Sequence, residues 1–199
     1  MTTPPRFPPL ARVLHWLMAA LLLAMLFIGA TMVASLGHYH ALVAVHRPLG
    51  MLIFLLALIR LANRLWFTTV PPLPPTMSPG ERKIALASEC LLYALMLALP
   101  LVGWSMLSAG HYPIVMFGRV HLPAILPPHP ALYAALRLTH TVLAYLLFLA
   151  VLAHLSAILL HTFIVRDRLL DRMAWGRTRP ANTPENVAIS PESSDPEVQ

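Results

Sequence analysis

Three histidines, His140, His154 and His161, sit in the apolar stretch 132–165, which carries no Asp, Glu, Lys or Arg from 138 to 165. At about 100° per residue, the 14 residues from His140 to His154 return a side chain to within roughly 40° of its starting direction. The seven further residues to His161 return it to within roughly 20°. One face of one long helix therefore presents three imidazoles. Polar groups inside a bilayer are expensive and mark function, and imidazole is the side chain best suited to a transition metal or a haem iron. The competing reading is a set of helix-to-helix hydrogen bonds; three rings on one face weigh against it. Two more histidines, His15 and His46, lie in earlier apolar stretches.

These residues need membrane helices to position them, and the composition supplies them. Of 199 residues, 58% are hydrophobic and 11% charged, against about 25% charged in an ordinary soluble domain. The reading is an all-α membrane protein, a four-transmembrane-helix bundle with spans at 13–36, 46–66, 84–107 and 132–165. The first apolar stretch is longer than the 7–15 residues of a signal peptide and is kept as a span. The second is short between Arg47 and the pair Arg60 and Arg64, which can snorkel to headgroups. Glu89, near the start of the third, can reach the interface in the same way. The Pro-rich connection 70–79 is extended, and the connection 111–130 carries five prolines. The tail 180–199 is rich in Pro, Ser and acids without aromatics, a composition that stays disordered. A single Cys90 excludes an intrachain disulfide, a four-thiolate Fe–S cluster and covalent C-x-x-C-H haem attachment. The net charge of +6 does not point to nucleic acid, because the basic residues flank apolar spans, where they encode topology.

The amino-terminal flank, the second connection and the carboxy-terminal stretch hold 11 of the 14 basic residues; the other connections hold only Arg47, Arg119 and Arg137. Positive-inside then puts both termini in the cytoplasm. In that arrangement His46 and His140 share the outer level, while His15 and His154 share the inner level about 21 Å deeper on the fourth span. Each pair can supply the two axial imidazoles of a haem between facing helices. Zinc fits less well, with no third or fourth ligand at either level. Gly29, 14 residues after His15, and Gly50, one turn after His46, can leave room for a flat porphyrin, or they can simply allow close helix packing.

Several stretches carry a resemblance: His15-Trp16, HRPLGMLIFLLALIRLANRLW with the following PPLPP, LPLVGWSMLSAG, FGRVHLP, and THTVLAYLLFLAVLAHLSAILLHTFIVRDRLLDRM. Together they resemble the bacterial cytochrome b561 family over about residues 8–175. The resemblance implies a four-helix b-type cytochrome with two haem b groups, His15 and His154 ligating one and His46 and His140 the other. It implies passage of electrons from superoxide to ubiquinone, with His161 beside the quinone at the cytoplasmic end. Thr141 departs from the pattern, in which Glu often follows the ligand histidine. The division that follows is a cytoplasmic flank 1–12, a di-haem membrane domain 13–175 and a cytoplasmic tail 176–199, in the bacterial inner membrane.

The ends then decide the reaction. At the inner end His161, with Arg166, Asp167 and Arg168 beyond it, can donate to a quinone carbonyl and supply a proton. The outer surface has no acidic side chain, but has Arg47, Arg119, Arg137, His38, His40, His111, His121 and His129, a field that attracts small anions. The first expectation is a superoxide:ubiquinone oxidoreductase in the lipid bilayer. The second is an electron-transfer subunit serving a partner dehydrogenase. The third is a non-redox scaffold whose histidines only pair helices.

Overall fold

Proline opens three of the four long helices. The computed structural model describes residues 6–67, 70–73, 77–116, 118–166 and 169–174; the tail 176–199, Asp167, Arg168, Phe117 and residues 74–76 of the Pro-rich connection lie outside the described residues. Helix α1 runs Pro9–Ala34, α2 Tyr39–Trp66, α3 Pro79–Ala109 and α4 Pro130–Leu160. Proline stands in the first two positions of α1, α3 and α4, where its missing N–H has no helical partner to lose and its fixed φ is already helical. A capping box closes the start of α3: Ser78 Oγ accepts from the Glu81 N–H at 3.3 Å, and Glu81 Oε2 accepts from the Ser78 N–H at 2.6 Å. His129 Nδ1 caps α4 by accepting from the Leu132 N–H at 3.2 Å.

All four helices are long and apolar enough to cross a membrane. The shortest has 26 residues, about 39 Å at 1.5 Å per residue. Their limits exceed the apolar windows. Helix α1 begins at Pro9, inside the flank 1–12 and ahead of the expected span 13–36, and α2 begins at Tyr39, seven residues before His46. Only a 3-10 turn, Leu36–His38, separates α1 from α2, so His40 is helical rather than part of a loop. A hydropathy window finds the part of a helix that touches hydrocarbon; the polar turns beyond it are helical for backbone reasons it does not register. The connection after α3 folds into a small antiparallel hairpin, with Val115 opposite His121 and Met116 opposite Val120, and Gly118 turns it at φ +70°. This connection is tied back onto α3: Trp104 Nε1 donates to the Pro123 carbonyl at 2.9 Å, and Ser108 Oγ accepts from the Ile125 N–H at 3.2 Å.

α1 packs on α2, α2 on α3, and α3 on α4, leaving the connections α1–α2 and α3–α4 at one end, here the loop end. The other is the terminal end. The core is Met18 and Leu22 of α1, Ile53 and Ala57 of α2, Leu95, Met96 and Leu99 of α3, and Leu147 and Ala150 of α4. It lies between the two levels of histidine. The outer faces carry Phe27, Val33, Leu65, Ile84, Phe148 and Leu149, all exposed, an apolar surface that matches lipid rather than water.

Past Leu160, α4 widens into a π-helical turn, His161–Val165, closed by the Arg166 N–H donating to the His161 carbonyl, with Arg166 at φ 55°. The chain then returns as a short 3-10 turn, Leu169–Arg172, and straps the terminal end. Trp16 Nε1 donates to the Met173 carbonyl at 2.8 Å, Arg12 to the Ala174 carbonyl at 3.0 Å, and the Phe7 N–H to the Arg172 carbonyl at 3.1 Å. Arg172 in turn donates to the Pro71 carbonyl and stacks its guanidinium 5.3 Å from the Phe7 ring centre.

Ala57 is fully buried at 0% exposure, which leaves no room for three added carbons. Ala57→Leu is expected to lower stability by about 1–3 kcal/mol through overpacking, read as a reduced midpoint of thermal unfolding in detergent micelles.

Candidate functional site

The helix α4 spacing does what its sequence implies. His140 and His154 stand 14 residues apart on one helix, about 21 Å along its axis. Each is met by a histidine from another helix. At the loop end the rings of His46 on α2 and His140 on α4 face one another with centroids 6.2 Å apart and planes at 69°. The Nδ1 atoms of both are buried and make no hydrogen bond. The rings are thus near neighbours whose Nδ1 atoms do not bond to each other, and the polar contact of the His140 ring across helices is with the Leu99 backbone of α3.

That separation suits a shared metal. Two imidazole–metal bonds of about 2 Å, with about 1 Å more from each nitrogen to its ring centre, place two axial rings about 6 Å apart. Helix α3 adds a feature that sequence reasoning missed. A Cβ at Gly103 would stand 3.3 Å from His140 Cε1 and 3.6 Å from its Nδ1. Gly103 therefore lets the backbone of α3 lie against the imidazole, and the Leu99 carbonyl lies near the same ring. Pro48, buried inside α2 two residues after His46, removes one backbone hydrogen bond at this level. A short run of glycine and proline opposite a histidine was the available signal.

At the terminal end His15 on α1, His154 on α4 and Arg60 on α2 lie within electrostatic reach of one another. Arg60 NH1 is 2.9 Å from His15 Nδ1, and Arg60 Nε donates to the Tyr93 hydroxyl at 2.9 Å. Trp16 sets its ring edge-on to His15, with centroids 5.5 Å apart. This corrects the expectation that Arg60 reaches out to headgroups. Arg60 turns inward to the histidine level, and Arg64 pairs with Glu89 of α3 at 2.7 Å, both side chains partly exposed. The signal for Arg60 was its place 14 residues after His46, the spacing that joins the two levels on α4.

The glycines differ. Gly29 borders open space, with nothing within 4 Å of an added Cβ, whereas Gly50 takes the Met25 Cε of α1 at 3.6 Å. Gly50 is in ordinary packing contact with α1, and Gly29 has no protein atom against it. His161 is buried at 8% exposure in its π turn, and Glu81 at the start of α3 lies within its electrostatic reach. Arg166 is exposed and donates to the Phe163 carbonyl at 3.3 Å, so it adjoins His161 through the backbone while its side chain points back along the turn. Among the described residues no group of three His, Cys, Asp or Glu gathers at one point.

A model of the prokaryotic cytochrome b561 family matches residues 6–176 of the chain. The chain belongs to that family. It is 31% identical over 175 residues to cytochrome b561 homolog 2 of Escherichia coli K12, covering 86% of this chain and 92% of the relative. It is 27% identical over 161 residues to a probable superoxide oxidase, CybB, of Yersinia pestis, covering 80% and 90%. It is also 28% identical over 185 residues to cytochrome b562 of Cereibacter sphaeroides, covering 87% and 98%. As a member of the cytochrome b561 family it is a multi-pass bacterial membrane protein of the haem b-binding, electron-transferring kind. The scaffold reading is therefore set aside. The residues present fit such a group: at the loop end the Nδ1 atoms of His46 and His140 are buried without partners and the two rings stand at a metal-bridging distance.

Because an added side chain at Gly29 meets nothing in the protein itself, Gly29→Val is expected to leave the bundle folded while lowering bound haem. Pyridine haemochrome assay against total protein, alongside helical circular dichroism, checks both halves. Unchanged haem content would place the group elsewhere.

Proposed function

We propose that this cytochrome b561 family member moves electrons along the bundle through two haem b groups, one held by His46 and His140, the other by His15 and His154. The facing of the His46 and His140 rings at 6.2 Å, with both Nδ1 atoms buried and unbonded, is the observation that carries the reading. When bound, the haems supply one-electron chemistry at two depths; the chain's own residues set where electrons enter and leave. Positive-inside orientation puts the loop end in the periplasm and the terminal end in the cytoplasm of the inner membrane.

Superoxide is the proposed donor and ubiquinone the proposed acceptor. Two superoxide anions each lose one electron and become dioxygen, and ubiquinone takes two electrons and two protons to become ubiquinol. At the loop end the acid-free surface draws in the anion; His40 and Arg47 line a cleft there of about 690 Å³. At the terminal end His161 is proposed to donate to a quinone carbonyl and pass on a proton, with Arg166 adding positive charge at the same turn. Glu81, exposed at the start of α3, lies within electrostatic reach of His161. The likeness to a probable superoxide oxidase supports the choice of donor. A second reading, an electron-transfer subunit fed by a partner dehydrogenase, is favoured by the same cleft, which is far larger than superoxide requires.

Stopped-flow mixing of the purified cytochrome with superoxide, with and without ubiquinone, separates the two. Rapid haem reduction followed by reoxidation on adding quinone is expected, slowing steeply as ionic strength rises through the Debye range. No reduction by superoxide leaves the partner-fed reading. His161→Ala is expected to retain the superoxide-driven step and slow ubiquinone reduction by about a hundredfold or more, the usual scale of a lost acid–base group; unchanged quinone reduction removes His161 from the acceptor site.

A further inference from the structure

Arg60 is a cation inside a membrane helix whose partners are both neutral. Its Nε donates to the Tyr93 hydroxyl and its NH1 lies 2.9 Å from His15 Nδ1, with the guanidinium 5.7 Å from the Tyr93 ring centre. Among the described residues Arg60 meets no carboxylate; on α3 Glu81 closes the capping box at the helix start and Glu89 is held by Arg64. A guanidinium at such a place calls for an anion.

Its contact with His15 is also conditional. A guanidinium has donors and no acceptor, so NH1 can donate to Nδ1 only while that nitrogen carries a lone pair and the ring hydrogen sits on Nε2. A neutral histidine that ligates a metal through Nε2 has the opposite tautomer, with hydrogen on Nδ1. Ligation through Nδ1 would use up the lone pair itself. Either way the Arg60–His15 bond and a metal-bound His15 exclude one another.

We propose that Arg60 is a two-position side chain: it caps His15 when that ring is free, and on haem binding it moves to a propionate carboxylate of the haem that His15 and His154 hold. A haem b carries two such carboxylates, and a planar guanidinium is the side chain best matched to a carboxylate. Tyr93 keeps the Nε side of the fork fixed while the NH1 side changes partner. The proposal rests on His15 and His154 being ligands, as read above.

The test uses full-length holoprotein purified in detergent, as wild type, Arg60→Gln, Arg60→Lys and His15→Ala. Two readouts are taken: the propionate bending bands in the resonance Raman spectrum, and the rate of haem release to excess apomyoglobin. Arg60→Gln is expected to shift a propionate band and speed the release of one haem by about tenfold or more, the scale of a lost charge-assisted bond, while the other haem is unchanged. Arg60→Lys, which keeps the charge without the fork, is expected to shift the same band and release that haem at an intermediate rate. Propionate bands identical to wild type in both variants would overturn the proposal, as would unchanged release. If Arg60→Gln does not accumulate, the Arg60→Lys band position alone decides, moved in support or unmoved against. His15→Ala reports separately on the ligand reading: loss of one haem upholds it, and retention of both with an unaltered spectrum sinks it whatever Arg60 does.

Discussion

The cost of placing imidazole and guanidinium groups within hydrocarbon governs this structure. A bilayer offers no water to satisfy them, so each must be met from a neighbouring helix. Helix α4 sets the terms by carrying His140 and His154 at a 14-residue interval, and α1 and α2 answer with one histidine each. The two levels are therefore properties of the bundle rather than of any single helix. The intervening core, built on Ala57, Leu95, Met96 and Leu147, holds the levels apart and fixes their rotation.

Helix α3 carries no histidine, yet it shapes both levels. Near the loop end Gly103 strips the helix to backbone where the His140 ring lies. Toward the terminal end Tyr93 and Glu89 take up the two arginines of α2. A helix without histidine thus supplies the close approach at one level and the charge management at the other.

Much of this was legible beforehand because the signals were strong and local. Four apolar stretches of spanning length follow from hydropathy, and histidines in register along the uncharged stretch 138–165 follow from periodicity. Arg60 was misread because hydropathy gives a charged residue near a span's end the same weight whether it reaches to lipid headgroups or across the bundle. The direction depends on Tyr93 and His15, each on a different helix. Gly103 was passed over while Gly29 and Gly50 were noticed, because spacing from a histidine on the same chain segment is visible in one dimension and apposition to one on a facing helix is not. The hairpin at 115–121 and the helical start of α2 lie outside the hydrocarbon, where apolar patterning carries no information. Apart from the Arg172 guanidinium, the returning segment holds the terminal end through main-chain carbonyls, which no residue pattern encodes.

That last feature divides the closure of the terminal end unevenly between its two sides. The returning segment contributes the carbonyls of Arg172, Met173 and Ala174, whereas the first turns of the bundle contribute an indole from Trp16, a guanidinium from Arg12 and the Phe7 amide. Any residue has a carbonyl; few have an indole N–H. Met173 and Ala174 can therefore drift in sequence while the latch still holds. Arg172, whose guanidinium reaches Pro71 and Phe7, cannot, and together with the donors next to His15 it fixes where the returning segment comes to rest.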